Sequence, residues 1–160
     1  MNWLSSLDSL STHAHEAEMA LRLVLSALIS AVLGYERESK GHSAGLRTHI
    51  LTSLAATVFT LLAFEIYVGH GRNGDPVRVI EAVTQGVAFL AAGAIIQARG
   101  EVRGLTTGAS MWMAGALGVA CGGGFYALAI MAAMAAFIVL HVLKRLEQAT
   151  GDDETPSPDT

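Results

Sequence analysis

Five apolar runs, separated by short charged or glycine-containing breaks, set the plan of this chain. They cover Met19 to Tyr35, His49 to Val68, Val79 to Ala98, Leu105 to Cys121 and Phe125 to Leu143. Each approaches the ~20 residues that a helix needs to cross ~30 Å of hydrocarbon. In lipid a spanning segment must satisfy its own backbone hydrogen bonds, so the runs predict helices and not strands. None shows the charged outward face of a helix in a soluble bundle. The predicted fold is all-α: a polytopic integral membrane protein with about five transmembrane helices.

Composition agrees with that plan. The 160 residues suit one domain, 52% are hydrophobic and only 15% are charged. The mean hydropathy is +0.46. A net charge of −4 with no basic stripe argues against a nucleic-acid partner. The single cysteine, Cys121, leaves no internal disulfide and no Cys-based zinc site.

Lys and Arg set the orientation. Seven of the ten lie in the first loop, the third loop and the C-terminal segment, and Arg72 and Arg78 lie in the second loop. The positive side of a membrane protein is cytoplasmic. The N-terminus is therefore expected outside and the C-terminus inside. Residues 1–18 read as an extracytoplasmic segment, a short amphipathic piece with acids where a signal peptide would carry bases. Residues 19–148 form the transmembrane domain. Residues 149–160, GDDETPSPDT with its preceding neighbours, read as a disordered acidic cytoplasmic tail.

Two of the breaks resemble each other. Gly34 precedes Gly45 by eleven residues, and Gly93 precedes Gly104 by eleven. Both stretches pass from a helix end through a charged loop to Gly-Leu-x-Thr and a new helix. This is the pattern of a parallel two-helix repeat, with the fifth helix added. At such a start Thr48, Thr106 or Thr107 can cap free backbone N–H groups. A helix start also favours anions. Glu36, Arg37, Arg47, Thr48, His49, Arg103, Thr106 and Thr107 thus form a candidate cytoplasmic docking or anion site. The alternative is that the arginines meet lipid headgroups and pair with Glu36, Glu38 and Glu101. Glycines 86, 93, 104, 108, 115 and 118 predict close helix packing.

Other chemistry is sparse. Glu65, Asp75, Arg78 and Glu81 gather near the outer ends of the second and third helices, a candidate outer vestibule or a set of interfacial pairs. The helix middles offer Ser26, Ser30, Ser53, Thr57, Gln85 and Ser110 but no acid or base, where a transporter usually places one. GHSAG, residues 41–45, fits a nucleophile pattern around Ser43, but that pattern has meaning only on a strand-to-helix elbow. No catalytic residue, metal site or cofactor is expected; His13, His15 and Glu16 make at most a weak ligand set.

Read in order, RLVLSALISAVLGYERE, GLRTHILTSLAA, DPVRVIEAVTQGVAFLAAGAII and VRGLTTGASMWMAGALGVA resemble the N-terminal membrane domain of the MgtC/SapB family. The likeness covers about residues 20 to 143. Glu36, Arg37, Gly45, Arg47, Thr48, His49, Asp75, Pro76, Arg78, Arg103, Gly104, Thr106, Thr107 and Trp112 fill its motif positions. Ala88 and Ala92 replace glycines of its third helix. The resemblance implies a bacterial inner-membrane protein. Members support growth at low magnesium and survival inside macrophages, and are thought to restrain the F-type ATP synthase. Other members are tied to acid resistance. Longer members add a soluble C-terminal domain, which is not expected here. The implied role is a non-catalytic modulator of membrane energetics that contacts lipid, the ATP synthase or another membrane complex, or a second copy of itself. The alternative is a small ion or solute transporter or channel.

Overall fold

A computed structural model of the chain describes residues 3–72, 75, 77–98 and 101–143. The acidic tail expected over 149–160 lies outside the described residues. Five helices follow in order: α1 (Trp3–Ser39), α2 (Leu46–Gly69), α3 (Val77–Gly93), α4 (Leu105–Gly122) and α5 (Tyr126–Ile138). A π-helical turn, Val139–Leu143, continues α5. The helices of residues 12–39 and Leu46–Gly69 are long and apolar enough to cross a membrane.

Three boundaries differ from the sequence reading. The first helix runs unbroken from Trp3, so the N-terminal piece is one rod with the apolar run and not a separate element. The same helix also absorbs Glu36, Arg37 and Glu38. Glu and Arg are good helix formers, and Glu36 pairs with Lys40 one turn on. The third helix stops at Gly93, and Ile96–Ala98 pairs with Glu101–Arg103 as an antiparallel hairpin. A short apolar run with β-branched residues is ambiguous between helix and strand.

The turn after α1 shows how glycine ends such a helix. Gly41 has φ +72°. Its N–H donates to the Glu38 carbonyl and the His42 N–H to the Arg37 carbonyl. These are the two bonds that close a helix when the residue beyond its cap is left-handed. The same bond pair closes α2 at Gly71 and α4 at Gly124.

Neighbours in sequence pack antiparallel, and α2 and α4 then lie side by side and parallel. His49 meets Ser110 and Thr57 meets Gly118, both 61 residues apart. This is the placement that a parallel two-helix repeat requires, with Gly45 and Gly104 heading the two parallel helices. Glycine permits the close approach: a Cβ on Gly118 would sit 2.2 Å from the Ser53 carbonyl oxygen. Gly108 and Gly115 likewise press on α3, but a Cβ on Gly86 or Gly93 would meet nothing within 4 Å, so those two are not packing glycines here.

Leu33, Leu117, Cys121 and Ala129 form the apolar centre between α1, α4 and α5. Beside it runs a polar seam. Ser26, Ser30, Ser53 and Thr57 are fully buried. Ser26 Oγ lies 2.7 Å from Ser53 Oγ and 2.7 Å from Thr57 Oγ1, which also lies 3.0 Å from the Gly118 carbonyl oxygen. Hydroxyl pairs of this kind join helices where water is absent.

Candidate functional site

The end of the bundle that holds the starts of α2 and α4 also receives the last turn of α1. There Glu36, Arg37 and Glu38 stand in succession. Consecutive helical residues point about 100° apart, so the three turn in three different directions.

Glu36 turns toward α5. It is 6% exposed, and its Oε1 pairs with Lys40. Its Oε2 has no partner among the described residues. A cavity of about 550 Å³ opens here, lined by Glu36, Lys40, Leu46, Phe137 and His141. His141 sits on the π-helical turn and stacks on Phe137 with ring centroids 5.7 Å apart.

Arg37 turns toward α4. It is 4% exposed, and its Nη2 donates to Thr107 Oγ1 at 3.1 Å. Thr107 lies in the first turn of α4, the positive end of that helix dipole. A guanidinium there works against the dipole, and Arg37 forms no ion pair among the described residues.

Glu38 turns toward α2. Its Oε2 accepts the Leu46 N–H at 2.7 Å. This corrects the expectation that threonines cap the two helix starts. Thr48 Oγ1 donates to the Gly45 carbonyl instead of accepting an N–H. Neither α2 nor α4 has a side-chain cap from its own N-cap residue, and both N-caps are glycines. Gly104 adopts φ +89°, and a Cβ there would strike the Ala94 carbonyl oxygen at 2.1 Å.

His49 is fully buried one turn into α2. Its Nδ1 lies 2.8 Å from the Gly45 carbonyl, which can only accept. In the neutral ring Nδ1 therefore holds the hydrogen, and Nε2 lies 3.1 Å from the Ser110 hydroxyl, which also lies 2.9 Å from the Thr107 carbonyl oxygen. Arg47, Arg103 and Thr106 remain exposed. Arg47 has no side-chain partner among the described residues.

Of the candidate docking residues, the structure thus divides two groups. Arg37, His49 and Thr107 are buried fasteners between helices and Glu36 is buried beside a cavity, whereas Arg47, Arg103 and Thr106 face outward at the same end. No local pattern marks Arg37 and His49 as interior residues. Their spacing to Thr107 and Ser110, across some sixty to seventy positions, is visible only once α2 and α4 are known to be parallel.

At the opposite end, no side-chain hydrogen bond or ion pair joins the four vestibule candidates to one another among the described residues. Glu65 Oε1 lies 2.8 Å from His15 Nε2. Asp75 Oδ1 accepts the Val77 N–H at 2.9 Å and caps α3. Arg78 and Glu81 are exposed along α3. No three His, Cys, Asp or Glu side chains come together among the described residues. Sequence reading missed one tie at this end: Arg22 Nη1 donates to the Gly122 carbonyl at 2.6 Å, and Arg22 also pairs with Glu18. A cation suits the C-terminal end of α4. Ser43 of GHSAG is exposed in the turn between α1 and α2, and His49 is engaged elsewhere.

Comparison with known proteins places these residues in context. The MgtC family model matches residues 23–149. The "Putative magnesium transporter YhiD" of Escherichia coli (strain K12) is 35% identical over 134 residues, covering 81% of this chain and 62% of that protein. "Protein MgtC" of Brucella abortus (strain 2308) is 33% identical over 132 residues, covering 82% and 54%. "Protein SrpB" of Synechococcus elongatus is 31% identical over 143 residues, covering 81% and 77%. The chain spans 53–62% of the length of the first relatives. No solved structure matches.

Proposed function

Because this chain belongs to the MgtC family, we propose that it is a multi-pass protein of the bacterial inner membrane that adjusts membrane energetics by protein contact. The N-terminus faces out and the C-terminus faces the cytoplasm. The first partner to test is the F-type ATP synthase, in adaptation to low magnesium, acid or intracellular stress.

One observation carries this reading: the braced end of the bundle. Arg37 and Glu38 tie α1 to α4 and α2, and His49 ties α2 to α4. The exposed arginines Arg47 and Arg103 stand at the starts of the two parallel helices on this base. Side chains held on rigid elements recognise a partner with less loss of freedom. Two helix starts add partial positive charge to the two guanidinium groups. An acidic protein surface is the complement, and anionic lipid headgroups border it. Changing Arg47 and Arg103 together to Ala is expected to abolish function while leaving insertion intact, because both are exposed and lie outside the apolar core. A double variant that inserts and works normally would place the docking surface elsewhere.

A second reading is transport, favoured by the buried seam of Ser26, Ser53, Thr57, His49 and Ser110 between α1, α2 and α4. Magnesium prefers carboxylates and waters in octahedral array, and the seam offers hydroxyls and an imidazole. Ion flux into protein-loaded liposomes, with His49→Ala as the blocked variant, separates the two readings.

A further inference from the structure

The outward face of α3 is unlike the lipid-facing side of a solitary membrane helix. Arg78, Glu81, Gln85, Ala88 and Ala92 are all exposed. Their spacing alternates three and four residues, the repeat of a helix seam that packs on a second helix. None of them lines the apolar clefts that flank α3, which are bounded by Val79, Val83 and Val87. The five therefore point away from the rest of the chain.

Gln85 stands midway along α3, between Val77 and Gly93. Its amide has no hydrogen-bond partner among the described residues. A bare amide facing hydrocarbon costs several kcal/mol in transfer terms, so this position calls for a partner within the membrane. Ala88 and Ala92 form a small-x-x-x-small pair one turn further on, which lets a second backbone approach closely. Arg78 and Glu81 supply both signs of charge at the end of the same stripe, and neither forms an ion pair among the described residues.

We propose that this face is a self-association seam, at which two copies of the chain pair through parallel α3 helices. The stripe complements itself. A glutamine amide both donates and accepts, so Gln85 bonds the second copy's Gln85 across a two-fold axis. Arg78 of each copy reaches Glu81 of the other. An isologous contact of this kind closes at two copies. The inference rests on the multi-pass reading, which sets α3 in the bilayer.

The test is oxidative cross-linking of single-cysteine additions in native membranes. The natural Cys121 is fully buried and stays silent. At a two-fold seam a residue meets its own copy, so Ala88→Cys and Ala92→Cys should form dimers. Leu90→Cys, on the side turned to α2, should remain monomeric. Adding Gln85→Leu to Ala88→Cys should lower the dimer yield roughly three- to tenfold, and Gln85→Asn should restore part of it. Equal cross-linking at 88 and 90, or cross-links from Ala88→Cys to a different protein, would overturn the seam. A membrane-impermeant maleimide separates the failures. Shielding of Ala88→Cys without self-cross-linking sinks the seam alone. Labelling of Ala88→Cys removes α3 from the bilayer and sinks the multi-pass reading with it.

Discussion

Arg37 of α1 donates to Thr107 of α4 across 3.1 Å, although 70 positions separate them. The bond fixes where the end of α1 meets the start of α4. A buried guanidinium needs acceptors, and the first turn of a helix offers few. Thr107→Val should destabilise the protein by roughly 1–3 kcal/mol, the cost of leaving a buried donor unmet. Arg37→Met with Thr107→Val should cost less than Thr107→Val alone, because removing both polar partners leaves nothing unpaired. Unfolding of the purified protein in detergent measures the cycle.

The α2–α4 contact makes a steric prediction. Gly118→Ala places a methyl group 2.2 Å from the Ser53 carbonyl oxygen, which is backbone and cannot swing aside. A loss of roughly 1–3 kcal/mol is expected from overpacking. Gly86→Ala, with no atom within 4 Å of the new methyl, should be neutral or slightly stabilising through helix propensity. The same unfolding assay reads both.

Glu38 makes a prediction about the loop. Glu38→Ala removes the acceptor of the Leu46 N–H, and loss of a helix cap costs about 1 kcal/mol. Glu38→Gln keeps a side-chain oxygen and should recover part of it. Faster hydrogen exchange at the first turn of α2, with α5 unchanged, would mark the effect as local.

His49 lies at the join of the bracing and the seam. His49→Ala leaves a cavity and removes the side-chain tie from α2 to Ser110 of α4, and should destabilise by roughly 2–4 kcal/mol. If His49→Ala also abolishes ion flux while a destabilised control such as Gly118→Ala keeps it, the transport reading gains and the docking reading loses.

Much of the helical layout was legible in the pattern of residues. Five apolar runs became five helices, and the Gly-Leu-x-Thr echo pointed to the parallel pair α2 and α4. The helix ends were less legible. Ile95 and Ile96 are as apolar as the helix before them, so only the strand pairing to Arg103 reveals the hairpin. Site chemistry was half visible. Arg47 and Arg103 read as surface cations and are exposed. Arg37 reads the same way in sequence, yet it is buried, because its neighbour in space is Thr107 and no local pattern announces that. Thr48 carried the usual capping signal, but Glu38 reaches the Leu46 N–H from the preceding helix, a tertiary substitute that local rules do not anticipate.

The docking claim is tested most directly by ATP-driven proton pumping in inverted bacterial membrane vesicles, with and without this protein. The account predicts that the protein lowers pumping and that Arg47→Ala with Arg103→Ala restores it, both proteins being present in equal amount. Unchanged pumping with the wild-type chain, or inhibition that survives the double substitution, would contradict it.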